Sequence, residues 1–254
     1  MNNIKLDSNT IKKYKDNNIE INNNNITFKS NGEYIIEYTN NNKNNISIVI
    51  NDNVEIKLYI KSINNEIDNK VNYILNENSK LKISKYYQNN ITSQQIYIYL
   101  NGEKSNIIYN FSEICKKESN YDIKIYHNNK KTDSILSNKC ISLDNSITNF
   151  NIDSILPKGN IGCIMDQTTK IMEIGNADSH INPNMYIDES DVEAKHGSVI
   201  GKFDESNIFY LMSRGISRKE SILLLINGFI LSNIEVDDDE KNIILKEIEQ
   251  NWRW

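Results

Sequence analysis

The feature that most constrains the fold of this chain is a period-two alternation of apolar and polar residues, which recurs in short bursts between about residues 26 and 200. Such alternation places successive side chains on opposite faces of an extended strand, so each burst predicts a half-buried β-strand. The clearest bursts are ISIVI (46–50), VEIKLYI (54–60), VNYIL (71–75), LKISKYY (81–87), IYIYL (96–100), NIIYNF (106–111) and YDIKIY (121–126). The body of the chain is therefore predicted to be all-β.

Periodicity alone does not choose among a sandwich, a barrel and a parallel β-helix. Hairpin signals are few, because Asn-Gly occurs in the body only at 31–32 and 101–102. A solenoid of strands instead turns at corners of mixed polar residues, and the Asn-rich breaks between the bursts have that composition. Together these observations favour a parallel β-helix.

The pattern changes after residue 203, where three short helices are predicted. The signals for their ends are Asp204 as an N-cap, Gly215 as a C-cap, and two capping boxes, Ser217 with Glu220 and Asp237 with Glu240. The middle helix, ILLLINGFIL, is apolar on nearly all sides. Either the rest of the chain or a partner protein must therefore cover it.

Composition excludes several classes of protein. The net charge of -5 lacks the basic excess of a nucleic-acid-binding protein. The chain has no run of apolar residues long enough to span a membrane, and its first residues lack the apolar segment of a secretion signal, so a cytoplasmic location is expected. An odd number of widely spaced cysteines, Cys115, Cys140 and Cys163, favours reduced thiols.

Residues that could carry chemistry are few, and the familiar hydrolase, NTPase and dinucleotide motifs are missing, so an ordinary enzyme is not indicated. His196 precedes Gly197 and is either a base or metal ligand, or a hydrogen-bonded histidine at a strand corner. Cys163 is either a thiolate ligand of an iron–sulfur cluster or a small buried apolar residue. His127 and His180 are expected to be structural.

The segment DVEAKHGSVIGKFDESNIFYLMSRGISRKES resembles the C-terminal motif of the SufB/SufD family of iron–sulfur cluster assembly scaffolds. The matching elements are Asp191-Val192, His196-Gly197-Ser198, Gly201, Asp204-Glu205, Phe209-Tyr210-Leu211 and Ser213-Arg214-Gly215-Ile216. A weaker upstream match, collinear with the first, has His127, Thr132, Ser134 and Lys139 in one strand. Together, the matching segments span about half of the chain.

This resemblance implies a right-handed parallel β-helix over 26–203, after an N-terminal extension over 1–25, and a helical region over 204–254. It also implies a non-catalytic scaffold that works with a SufC-type ABC ATPase and holds an iron–sulfur cluster transiently. Such a scaffold would dimerise near the end of the β-helix, either with a second copy or with a SufB/SufD paralogue. The implied ATPase-docking residues are Phe209, Tyr210, Arg214, Gly215, Ile216, Leu224 and Phe229.

Two departures from the family pattern make the chain SufD-like. SufB-type members follow the equivalent histidine with Glu, whereas here Gly197 follows, and Thr169 aligns with their essential cysteine. His196 is therefore the residue for which the family implies a ligand role, with Cys163 as the nearest thiol in sequence. Two alternatives remain at this point, a β-helix carbohydrate-active enzyme and a bare β-solenoid for protein interaction.

Overall fold

The structure is a computed structural model that describes residues 2–6, 15–16, 18–22, 24–39, 43 and 45–251. The strands are β1 (Asn2–Leu6), β2 (Lys15–Asp16), β3 (Ile19–Asn22), β4 (Asn25–Phe28), β5 (Gly32–Tyr38), β6 (Ile46–Ile50), β7 (Glu55–Ile63), β8 (Glu66–Leu75), β9 (Lys80–Gln88), β10 (Ile91–Leu100), β11 (Asn106–Cys115), β12 (Glu118–His127), β13 (Asp133–Ser142), β14 (Ile147–Leu156), β15 (Cys163–Glu173), β16 (Asp178–Ile187) and β17 (Val192–Gly201). The helices are α1 (Glu205–Ser213), α2 (Arg218–Leu231) and α3 (Asp238–Asn251).

The strands form a parallel β-solenoid of about 6 turns, which confirms the predicted β-helix. From β4 onwards, successive strands alternate between two sheets. One sheet has the order β1-β5-β7-β9-β11-β13-β15-β17, and the other has the order β16-β14-β12-β10-β8-β6-β4-β3-β2. Pairing is parallel except where β3 joins β2 and β4 in antiparallel fashion.

The polar breaks in the sequence form the corners of the solenoid. At one corner, Asn53, Asn78 and Lys104 adopt the left-handed conformation, with φ of 59°, 51° and 60°. The backbone N–H of Asn53 donates to Glu77 O in the next turn at 2.8 Å, and Asn78 repeats the bond to Glu103 O at 2.9 Å. The Asn78 side chain also donates to Asn53 Oδ1 at 2.9 Å. Asparagine tolerates this conformation better than most residues, which gives the Asn-rich breaks a structural role.

Inward-facing residues of both sheets fill the space between them and form the main core. The core is largely aliphatic, with a cluster of aromatic rings at mid-length in which Phe111 contacts Tyr121 at a centroid distance of 5.0 Å and Tyr87 at 5.5 Å. These side chains are almost fully buried, because period-two alternation points them inward and a neighbouring turn of the solenoid covers them on each side.

Helices α2 and α3 cover the outer face of the eight-stranded sheet and enclose a second apolar cluster that includes Tyr86, Ile226 and Ile244. Asn233, in the connection between these helices, anchors them to the body. Its amide donates to the carbonyl oxygens of Phe111 at 2.8 Å and Ser137 at 3.0 Å. The apolar middle helix is thus covered in large part by the chain's own sheet.

The predicted helix ends are mostly confirmed. Asp204 caps α1 by accepting from Ser206 N, and the capping box of Ser217 and Glu220 is present at α2. Gly215 was predicted as the C-cap of α1, but the C-cap is Arg214, because Gly215 adopts the left-handed conformation at φ 88° one residue later.

The predicted box at α3 is only half formed. Asp237 Oδ1 accepts from Glu240 N at 2.9 Å, whereas the Glu240 carboxylate accepts from Lys61 Nζ of the body at 2.9 Å. A tertiary ion pair therefore replaces the second, local capping bond.

The N-terminal segment contributes a strand to the body. Strand β1 pairs with β5 in the eight-stranded sheet, so part of segment 1–25 adds to the body, while other residues of that segment lie outside the described ranges.

No helix within the described part of the chain has both the length and the apolar character needed to cross a membrane.

Candidate site at the C-terminal end of the solenoid

The last turn of the solenoid, formed by β16 and β17, differs from every turn before it. Alternate side chains of β16 are only half-buried, and those of β17 from Glu193 to Ile200 are all exposed. Because register-paired residues of parallel strands point to the same face, Ile200 faces inward like its buried partner Ile171. No further described strand follows to cover that face.

Both sheets also end here in a strand that is paired on one side only. Among the described strands, β17 has β15 as its only neighbour, and β16 has only β14. Each free edge presents a row of backbone donors and acceptors, which is a template for pairing with another chain. The end of the solenoid therefore combines open backbone edges with exposed apolar side chains.

His196 lies in the middle of β17, on the inward-facing side of this open end. It is exposed, and its register partner on β15 is the buried Gln167. The Gln167 amide donates to Ser154 Oγ at 2.5 Å, but its Oε1 atom has no hydrogen-bond partner among the described residues. His196 is thus a free imidazole beside a buried acceptor, at a surface that another molecule can reach.

Thr169, expected from the family resemblance at the position of the SufB-type cysteine, lies one inward position from Gln167 on the same strand. It pairs in register with Ser198 and accepts a hydrogen bond from Asn138 Nδ2 at 3.0 Å. This position is therefore adjacent to His196, but it offers a hydroxyl rather than a thiol.

Cys163 is not brought together with His196. It pairs in register with Val192, four residues before His196, and its side chain is 1% exposed. Its thiol lies within 3.3 Å of Asn160 O and of Thr132 Oγ1, and it packs with Leu156 and Met165. The thiol is hydrogen-bonded and packed among apolar side chains, so the local geometry matches a buried packing role.

The other two cysteines face the interior. Burial raises the pKa of the Cys115 thiol to about 11 and raises that of Cys140 well above its usual value. Both are therefore neutral thiols near pH 7. Across the described residues there is no group of three or more His, Cys, Asp and Glu side chains that could hold a metal ion.

His127 has a structural role, as expected from the sequence. Its two ring nitrogens lie 2.8 Å from Thr132 Oγ1 and 2.9 Å from Ser134 Oγ, and burial lowers its pKa to about 4. The spacing of this histidine, threonine and serine places all three on inward positions at one corner of the solenoid.

Helix α1 presents the most exposed apolar side chains of the C-terminal region. It buries only Ile208, whereas Phe209 is 63% and Tyr210 59% exposed. Arg214 stacks on Tyr210 with its guanidinium carbon 5.3 Å from the ring centroid. On α2, Leu224 is 49% exposed.

The remaining predicted docking residues are less accessible. Ile216 is half-buried in the turn between α1 and α2. Phe229 packs edge-on against Phe203 at a centroid distance of 6.1 Å and lies under Lys139 Nζ. Phe229 is therefore engaged inside the chain, while Phe209, Tyr210 and Leu224 are free to contact a partner.

Comparisons with known proteins relate the chain to one protein family. Residues 15–229 match the family described as SUF system FeS cluster assembly, SufBD core domain. The iron-sulfur cluster assembly protein SufD of Bacillus subtilis is 26% identical over 51% of this chain, and SufD of Escherichia coli is 29% identical over 56% of it.

A SufBD family protein of Archaeoglobus fulgidus is 54% identical over a shorter stretch of 39 residues. The aligned stretches span 30% of the Bacillus relative and 34% of the Escherichia relative. Because the family match covers most of the chain, the protein belongs to the SufBD core domain family of the SUF iron–sulfur cluster assembly system.

Proposed function

We propose that the chain is a non-catalytic scaffold subunit for iron–sulfur cluster assembly, with the cluster as its cargo. The observation that carries the proposal is the open last turn, where His196, Val199 and Ile200 are exposed in a chain of the SufBD family. A second subunit that covers this turn would bury the apolar side chains and place its own side chains beside His196. The partner is either a second copy or a SufB/SufD paralogue.

The dimerisation step follows from the two free strand edges. Pairing with another chain would satisfy the unpaired backbone groups of β16 and β17. Val199→Pro removes one N–H from the edge strand and should convert the dimer to a monomer in light scattering, and Val192→Pro should act in the same way. Val199→Ala is the matched control, because it keeps the N–H and should leave the dimer intact. A wild-type chain that is monomeric both alone and with the paralogue would contradict this step.

The ligand step assigns His196 as this chain's contribution to the cluster. His196→Ala should leave folding and dimerisation unchanged and should lower cluster loading on anaerobic reconstitution. His180→Ala is the matched control, because His180 is also exposed but points to the outer face of β16. Full cluster loading on His196→Ala would remove the ligand role.

Cys163 stays a second candidate ligand, and one variant separates its two roles. Since the thiol is buried and hydrogen-bonded, a ligand role requires the last turn to open. Cys163→Ser should lower cluster loading if the thiol binds iron. It should lower only the melting temperature if the thiol serves in packing.

The partner step assigns the exposed face of α1 and α2 to a SufC-type ABC ATPase. Deleting 204–254 is a poor test, because α2 and α3 cover the second apolar cluster and their removal would expose it. Point variants are sharper. Phe209→Ser and Leu224→Ser should abolish co-purification with the ATPase, whereas Asn207→Ser, on an exposed position of α1, should not. Retention of the ATPase by a Phe209→Ser/Leu224→Ser double variant would contradict the assignment.

A further inference from the structure

A lysine and a glutamate lie inside the solenoid at mid-length, far from the open end. Lys85 on β9 is 1% exposed and Glu113 on β11 is fully buried. Lys85 pairs in register with Phe111 and Glu113 pairs with Tyr87, so the two charged residues occupy diagonal inward positions of adjacent strands. Diagonal neighbours in a sheet are within reach of long side chains.

Aromatic rings surround the lysine. Lys85 Nζ lies 4.2 Å from the centroid of Tyr87, 4.3 Å from Phe111 and 5.4 Å from Tyr121. It donates hydrogen bonds to Gln94 Oε1 and, at 3.1 Å, to Tyr109 Oη. Ring faces attract a cation, and this attraction grows when water is excluded.

The glutamate is held by donors from the opposite sheet. Glu113 Oε1 accepts from Tyr121 Oη at 2.8 Å and from Ser119 Oγ at 2.8 Å. Tyr121 therefore touches both charged residues, with its ring facing Lys85 and its hydroxyl bound to Glu113. The titratable groups that face this pair from the neighbouring strands are Tyr87, Tyr109, Cys115, Tyr121 and Cys140.

We propose that Lys85 and Glu113 act as one buried acid–base unit, which makes the stability of the solenoid body depend on pH around neutrality. Either charge alone is costly in this interior, because both side chains are buried, and each residue is the counter-charge of the other. Tyr121 and the aromatic cage hold the two in a fixed arrangement. The unit goes beyond the proposed scaffold role and does not depend on any partner.

The direction of the pH dependence follows from burial. Desolvation lowers the pKa of Lys85 to about 7 and raises the pKa of Glu113 to about 7. Between about pH 4.5 and 7 the folded glutamate keeps a proton that the unfolded chain loses, so stability falls as pH rises. Between about pH 7 and 10.5 the unfolded lysine keeps a proton that the folded chain loses, so stability rises with pH. The pair therefore contributes least near pH 7.

A double-mutant cycle in the full chain tests the unit. Lys85→Met and Glu113→Gln should each lower the melting temperature by roughly 10 °C at pH 7, because each leaves a buried group without its partner. The Lys85→Met/Glu113→Gln double variant should lose less than the sum of the two. The control cycle uses Lys57→Met and Glu33→Gln, an exposed pair on adjacent strands of the same sheet, with both effects within roughly 2 °C and additive.

The pH profile supplies a second readout. The difference in melting temperature between the double variant and the wild type should favour the double variant most near pH 7 and should shrink towards pH 5 and pH 9. If neither single variant folds while the double variant does, the coupling is supported. Additive single effects, a double variant that fails to fold, or parallel pH profiles of the double variant and the wild type would overturn the proposal.

Discussion

Ile171 and Ile200 are the same residue type, on the same face of neighbouring strands, paired in register, yet one is fully buried and the other is 44% exposed. Ile171 belongs to a turn that has another turn on each side, whereas Ile200 belongs to the last described turn. The two strands are parallel and in register, so their inward positions coincide. The difference teaches that strand pattern determines which way a side chain points, while the neighbouring turn determines whether that side chain is buried.

The largest expected effect is at the buried member of this pair. Ile171→Ala should reduce the free energy of unfolding by about 2–5 kcal/mol, because it removes buried methyl groups and leaves a cavity. Denaturant unfolding at pH 7 measures the loss. A change as small as that of the matched Ile200→Ala variant would show that the turn containing β15 is not part of the cooperative core.

The next effect concerns the covered outer face, where one asparagine anchors the helices. Asn233→Leu should cost roughly 2–3 kcal/mol, because it leaves the carbonyl oxygens of Phe111 and Ser137 without their donor. Hydrogen exchange should become faster in α2 and α3 than in the solenoid. Asn207→Leu, on the exposed part of α1, is the control and should leave both rates unchanged. Equal acceleration in body and helices would mean that they unfold as one unit.

A third effect depends on pH and distinguishes the buried interior from the surface. Since burial lowers the pKa of His127 to about 4, the folded chain binds its proton less readily than the unfolded chain. The contribution of His127 to stability is therefore lost as pH falls from about 6.5 to 4, by about 2 kcal/mol at pH 5 relative to neutral pH. Glu113 contributes with the opposite sign in this range, so the test compares variants that share it. On going from pH 7 to pH 5, the free energy of unfolding of wild type and of His180→Gln should change by about 2 kcal/mol less favourably than that of His127→Gln. An equal change in all three proteins would contradict the role of His127.

The smallest expected effect on folding is at the exposed member of the pair. Ile200→Ala should change the free energy of unfolding of the monomer by no more than about 0.5 kcal/mol. It should still weaken self-association, or association with a paralogue, if a second subunit buries the inward-facing side chains of β17. Sedimentation at several concentrations measures the association. A dimer of unchanged affinity would move the interface away from the inward row of β17.

Much of the fold was predictable from local pattern. Alternation in bursts such as IYIYL and YDIKIY determines a strand, and scarce hairpin signals with Asn-rich corners indicate a solenoid, because each of these features depends on a few consecutive residues. The helix starts at Asp204 and Ser217 follow from the same kind of local hydrogen bonding. The motif around His196 was likewise sufficient to indicate the family that the later comparison confirms.

The candidate site was less predictable, because it depends on which residues share a turn. Nearness in sequence suggested Cys163 as the thiol for His196, but register places it four residues away and facing the core. In the same way, Glu240 carries a capping motif that would satisfy its own helix, and the fold directs it to Lys61 instead.

Local sequence pattern is enough to specify that this chain forms strands, that the strands turn at polar corners, and that helices follow them. The packing of the turns specifies which inward positions are filled and which stay open, that Lys85 and Glu113 share one interior, and that His196 lies on an uncovered edge. This division arises because strands and caps depend on bonds between residues close in sequence. Burial depends on turns that are about 25 residues apart along the chain, as in the pairing of Glu55 with Lys80, and no local pattern records which turn is the last.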